Sequence, residues 1–120
     1  KENFVILDTE TTGLDEEAEI VELSILDLHG RTLLDTLVKP VEPIPEFLTG
    51  IHGITNEMVA NAPTFQEIYE EFSGIVQDKT ILIYNADFDS RLIYQTCKKY
   101  GIKLNSIKNS SIYPGDIINV

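Results

Sequence analysis

The sequence predicts an α/β fold, and three observations carry that expectation. Two short apolar runs, Phe4-Val5-Ile6-Leu7 and Thr80-Ile81-Leu82-Ile83-Tyr84, read as strands buried on both faces. Two stretches with helical apolar spacing, one before and one after the second run, alternate with them as layered α/β domains require. Two carboxylates, Asp8 and Glu10, follow the first run at i, i+2. In an extended chain that spacing puts both on one face.

At 120 residues the chain, residues 1–120, is expected to form one domain with a core of its own. Its 42% hydrophobic and 24% charged residues are ordinary for a soluble globular protein. No apolar run approaches the ~20 residues that span a membrane. Lys1-Glu2-Asn3 leads straight into the first strand, so no secretory leader is expected. The lone Cys97 excludes an internal disulfide and suits a reducing cytoplasm. A net charge of −11 argues against broad electrostatic capture of nucleic acid. Acidic residues gathered around bound cations would reverse that field locally.

Along the chain, Phe4–Leu7 is the first strand, and Thr11-Thr12-Gly13-Leu14 ends it in a turn open to close approach. Ile20 to Leu28 is a second strand, with Val21, Leu23 and Ile25 alternating with Glu22 and Ser24. His29-Gly30-Arg31 turns the chain into a third strand, Thr32 to Val38. Pro40, Pro43 and Pro45 keep 39–45 extended. A short helix starts near Pro45–Leu48, and Thr55 caps another. His52 sits before a glycine in an apolar setting, and a half-buried structural role is the plain reading of it. Thr64 and Glu67 form a capping box. Behind it Phe65, Ile68, Tyr69, Phe72, Ile75 and Val76 mark the buried stripe of a helix, so these aromatic residues belong to the core. The strand 80–84 follows. A helix then runs to about Tyr100, burying Phe88, Leu92, Ile93 and Cys97, with Lys98, Lys99 and Gly101 at its end.

Two negative side chains held side by side repel, and a divalent cation relieves both the repulsion and the desolvation. From the Asp8–Glu10 pair alone a solvated strand exit is the commoner meaning. The longer string Asp8-Thr9-Glu10-Thr11-Thr12-Gly13-Leu14 resembles the first motif of the DEDD-family 3′-5′ exonucleases, related to the epsilon proofreading subunit of bacterial DNA polymerase III. Thr49-Gly50-Ile51-His52-Gly53-Ile54-Thr55 is similar to a second segment of that family. Asn85-Ala86-Asp87-Phe88-Asp89 resembles its second carboxylate motif. By position alone, Asp87 and Asp89 compete for the same role at the start of that helix; the resemblance selects Asp89. Tyr84 stands where the family often has histidine. The similar segments cover most of Val5 to Leu104.

The resemblance implies a ribonuclease H-like fold: a mixed five-stranded sheet flanked by helices, with the second strand antiparallel. It implies hydrolysis of phosphodiesters at nucleic-acid 3′ ends, releasing nucleoside 5′-monophosphates with two divalent cations, Mg²⁺ or Mn²⁺. Asp8 would bridge the two, Glu10 would bind the one holding the attacking water, and Asp89 would support the other. Thr11, Gly13, Leu14, His52, Asn85 and Phe88 are the implied substrate contacts. The partner would be a single-stranded 3′ end, with a DNA polymerase or helicase as a further associate and no membrane.

The family's fourth motif, His-x-x-x-x-Asp or Tyr-x-x-x-Asp, has no counterpart after Asp89. The spacing of Tyr113-Pro-Gly-Asp116 is wrong. The resemblance implies roughly 50 further residues, a total that also fits the usual domain range, so the chain reads as C-terminally incomplete, lacking the last helices, or as a degenerate member. By itself it is expected to be weakly active or inactive. The reading from another class is a non-catalytic module that binds nucleic acid or a partner.

Overall fold

The computed structural model describes residues 4–83, 86–103 and 117–119. Among them the chain forms β1 (Phe4–Thr11), β2 (Ile20–Leu26), β3 (Thr32–Leu37), α1 (Glu46–His52), α2 (Asn56–Val59), α3 (Phe65–Val76), β4 (Thr80–Ile83), α4 (Ala86–Lys99) and β5 (Ile117–Asn119). The five strands make one mixed sheet in the order β3-β2-β1-β4-β5. β2 runs antiparallel to β1 and β3, while β4 runs parallel to β1 and β5 parallel to β4. This is the ribonuclease H-like arrangement.

Both helical stripes pack on one face of this sheet. Val5 and Leu7 of β1, Leu23 and Ile25 of β2, and Ile81 and Ile83 of β4 meet Phe65, Ile68, Phe72 and Val76 of α3 and Leu92, Ile93 and Cys97 of α4. The capping box opens α3 as its residues predict: the Glu67 N–H donates to Thr64 Oγ1 at 3.2 Å and the Thr64 N–H to Glu67 Oε1 at 2.9 Å. Phe65, Tyr69 and Phe72 touch as tilted rings 5.6–6.3 Å apart, so they are core and not a base-stacking surface.

Two expectations change. β1 and β4 are not buried on both faces: Phe4 is 36% exposed, and Ile6 and Leu82 are only half-buried. The apolar runs in fact alternate, because α3 and α4 cover one side of the sheet. β1 is also longer than its apolar run and carries Asp8 and Glu10 within it. Ile112 to Val120 reads in the sequence as a fifth strand or its approach; β5 forms within it at Ile117–Asn119, while 112–116 and 120 lie outside the described residues.

A second, smaller core joins Val21, Ile44, Leu48, Ile54 and Val59. A register shift creates it. Glu10 pairs with Glu22, but Thr11 pairs with Ile20. Val21 is therefore the extra residue of a bulge, which re-aims it toward α1 and α2 while Ile20 stays in the main core. Among the described residues no helix is long and apolar enough to cross a membrane.

Candidate active site

The site grows from the C-terminal half of β1. Alternation places Asp8 and Glu10 on the face opposite Val5 and Leu7, where Asp8 is exposed and Glu10 half-buried. Pairing adds residues that the sequence reading passed over. Glu22 stands directly across from Glu10, and Ser24, the partner of Asp8, pairs in turn with Asp35. Residues opposite one another share a face, so Asp8, Glu10, Glu22 and Asp35 lie on one side of the sheet. Burial pushes the Glu22 carboxyl above its ordinary value, and Glu10, Asp35 and Asp8 push it further. The alternation in β2 showed that Glu22 leaves the core, but only the register shows what it faces.

Asp89 arrives from the first turn of α4, just past the end of β4, which runs beside β1. It is 6% exposed. Thr9 alternates to the face opposite Asp8 and Glu10, and its hydroxyl donates to Asp89 Oδ1 at 3.0 Å. Burial raises the Asp89 carboxyl to about 6; the Thr9 hydrogen bond works against that, and the charges of Asp8 and Glu10 add to it. Asp87, the competing acid, is exposed.

His52 closes the α1 side. The Ile54 N–H donates to Nδ1 at 3.1 Å, so Nε2 carries the proton and donates it to the Thr11 carbonyl at 3.0 Å. Both ring nitrogens are thus used within the chain, which leaves the ring's surface for any contact with another molecule. Gly53 follows at φ 80° and ends α1. The Thr11 hydroxyl donates to the Gly13 carbonyl at 2.9 Å, and Leu14 projects with 76% of its surface exposed. A Cβ on Gly13 would meet only Ala18 Cβ at 3.9 Å, an ordinary contact, so packing within the fold does not require glycine there. Phe88 is half-buried against the main core. Asn85 and Tyr84 lie outside the described residues. Cys97 is fully buried and its thiol is pushed up to about 12, which suits a core residue and not a nucleophile.

The donors suit a hard divalent cation: all are carboxylates, and two have pKa values raised partly by neighbouring negative charge, which a bound cation would counter. Among the described residues, however, no three His, Cys, Asp or Glu side chains form a group that could hold a metal ion. Asp8 and Glu10 share a face, while Asp89 is drawn toward Thr9 behind them.

Comparison with known proteins adds identity to this geometry. Residues 5–113 match the Exonuclease family of RNase T type. An uncharacterised exonuclease, CP81 of Escherichia phage 186, is 50% identical over 103 residues, covering 86% of this chain and 53% of that protein. The DNA polymerase III subunit epsilon of Pasteurella multocida is 31% identical over 112 residues, covering 85% and 44%. The structure of Exonuclease X in complex with 5′ overhanging duplex DNA superposes with a TM-score of 0.61 at 33% identity, covering 74% of this chain and 52% of that one. The chain therefore spans about half the length of these relatives. The family match along residues 5–113, on a mixed sheet whose β4 runs parallel to β1, makes this chain a member of the RNase T-type exonuclease family.

Proposed function

We propose that this domain removes nucleotides from 3′ ends of single-stranded nucleic acid, hydrolysing phosphodiesters to release nucleoside 5′-monophosphates. One observation carries the reading. Asp8 and Glu10 share a face at the C-terminal end of β1, and α4, entered from the parallel neighbour β4, sets Asp89 where it feels the charge of both. Crevices outside the carboxyl ends of parallel strands are where open α/β sheets build their sites.

In this reading Asp8, Glu10 and Asp89 hold divalent cations, Mg²⁺ or Mn²⁺. Such ions lower the pKa of bound water and stabilise a leaving oxyanion. The chain's own residues seat the substrate: the Thr11–Leu14 turn and the His52 ring bound the terminal nucleotide, with Phe88 and Asn85 as further contacts. The chain acts as one exonuclease domain of a longer protein, with a fourth carboxylate and a base supplied outside it. The similarity to an epsilon subunit supports association with a DNA polymerase, and a helicase is the other candidate associate. A reducing, cytoplasmic setting suits the single buried thiol. A non-catalytic binding module is the second reading. It is favoured by the carboxylates standing apart among the described residues.

The test is release of mononucleotides from single-stranded DNA and RNA, labelled at either end, with Mg²⁺ or Mn²⁺ and with a chelator. Loss from the 3′ end that needs the cation and vanishes in Asp8→Ala is expected. Cation-independent release, or release from the 5′ end, would sink the proposal. Binding without cleavage by the longer protein would establish the module reading.

A further inference from the structure

We propose that Arg91 and Gln95 are positioning residues for the nucleotide end. From α4 they hold the 14–18 loop, and through it the backbone that carries the exposed Leu14 side chain. The inference rests on the exonuclease reading above.

The loop is closed at its base, where the Thr12 N–H donates to the Glu19 carbonyl and the Glu19 N–H to Thr12 Oγ1, both at 2.9 Å. Lys99 of α4 lies 3.5 Å from Glu17. Between these points the loop has little of its own to hold it. Leu14, Asp15, Glu16 and Glu17 are all exposed. Within the loop the bonds are local: the Ala18 N–H donates to the Asp15 carbonyl at 3.2 Å, and the Glu17 N–H to Asp15 Oδ1 at 3.0 Å. Two α4 side chains supply bonds that span 76–80 residues of sequence. Arg91 Nη2 donates to the Leu14 carbonyl at 3.0 Å and Nη1 to the Asp15 carbonyl at 3.4 Å. Gln95 Nε2 donates to the Asp15 and Ala18 carbonyls, both at 3.0 Å. The pair is itself locked, because Arg91 Nη1 also donates to Gln95 Oε1 at 2.6 Å. The guanidinium carbon lies 5.5 Å from the Phe88 ring centroid, a cation–π distance that fixes the fork from below.

The carbonyls of Leu14, Asp15 and Ala18, gripped by one helix, couple the loop to that helix mechanically. The same helix carries Asp89, two residues before Arg91. Leu14 is therefore tied both to β1, whose Asp8 and Glu10 precede it on the chain, and to α4, which carries Asp89. An exposed leucine alone signifies nothing. Here the backbone under it is anchored by donors whose bonds would otherwise go to water, and Leu14 lies one residue past Gly13, where the fold leaves open approach. The competing role for Arg91 is direct capture of a phosphate. Its two terminal nitrogens are already committed to carbonyls and to Gln95, which argues for holding the loop.

The experiment uses the full protein that contains this chain. Binding of a single-stranded oligonucleotide with phosphorothioate linkages at its 3′ end is followed by anisotropy, and KM and kcat are measured on the natural linkage. Arg91→Ala and Gln95→Met should each weaken binding and raise KM about tenfold, as loss of one or two hydrogen bonds implies. kcat should stay within about twofold. Arg91→Lys should fall between. Because the side chains act through Leu14, Leu14→Ala combined with Arg91→Ala should be no worse than the weaker-binding single variant. Melting curves identify any variant that fails to fold, and Gln95→Met keeps the test open if Arg91→Ala does. Unchanged KM and binding in the variants would overturn the inference. So would full additivity with Leu14→Ala accompanied by a salt dependence reduced by about one unit, the mark of a lost phosphate contact. If the unaltered protein neither binds nor cleaves, the exonuclease reading fails and this inference goes with it.

Discussion

Asp89 shows how one side chain reports the chemistry around it. Its carboxyl ionises near 6 in the folded chain against about 3.9 in an open one. The folded state therefore binds more protons between roughly pH 4 and pH 6, and stability falls as pH rises through that window. The loss above it is about 3 kcal/mol at one proton. Tm of the cation-free protein should drop across this range, and Asp89→Asn should flatten the drop. Adding Mg²⁺ or Mn²⁺ at pH 7 should restore Tm if Asp89 takes part in holding the ion; an unchanged Tm would remove it from that role. Gly13 separates function from folding in the same way. Its Cβ has room, so Gly13→Ala should melt within a degree or two of the parent, by the ±0.5 kcal/mol usual for such sites. Weaker oligonucleotide binding in that variant would assign the glycine to close approach by substrate.

Among the elements, the link between the start of β2 and the proline-rich connection depends on a buried acid. Glu19 is 1% exposed. Its two oxygens accept the Val41 and Glu42 N–H groups at 2.7 and 2.9 Å, and Lys99 lies 3.6 Å away. Glu19→Ala leaves two backbone donors without their acceptor and Lys99 with Glu17 alone, 3.5 Å away, and should cost about 3–5 kcal/mol in denaturant melts. A loss under 1 kcal/mol would mean that water replaces the carboxylate. Nothing in the sequence singles out Glu19, two residues past Glu17 in an acidic stretch. Nothing in local pattern says that Val41 and Glu42, over twenty residues on, will present unpaired N–H groups. By contrast α3 was legible residue by residue, because its cap and its 3.6-residue stripe are both local. Phe72→Ala in that stripe should cost about 3–5 kcal/mol by opening a cavity.

At the scale of the molecule, net charge and topology oppose one another. A chain at −11 repels phosphate, while the sheet collects Asp8, Glu10, Glu22 and Asp35 on one face. Nucleic-acid binding should therefore require a divalent cation and show a shallow dependence on monovalent salt, with a log–log slope of about −1 to −2. A steep slope in the absence of divalent ions would show that a basic surface outside the described residues governs binding. Glu22→Gln, which lowers the charge opposite Glu10, should let the cation-free protein melt at a higher temperature while weakening its hold on Mn²⁺. Unchanged Mn²⁺ affinity would confine Glu22 to a spectator role.

What the sequence determined by itself is what short-range physics controls. Apolar runs and helical stripes defined the elements, Thr64 and Glu67 the start of α3, and the i, i+2 spacing of Asp8 and Glu10 their common face. Cys97 and the aromatic residues of α3 were placed in the core by the same local reasoning. Only the tertiary structure decided which strands pair and in what register. That choice set Glu22 against Glu10, turned Val21 into a second core, and left one face of β1 and β4 half open. It also gave Arg91 and Gln95 the carbonyls of a loop nearly eighty residues away. Register and crossover depend on the burial of the whole sheet at once, and no single stretch of sequence carries that information.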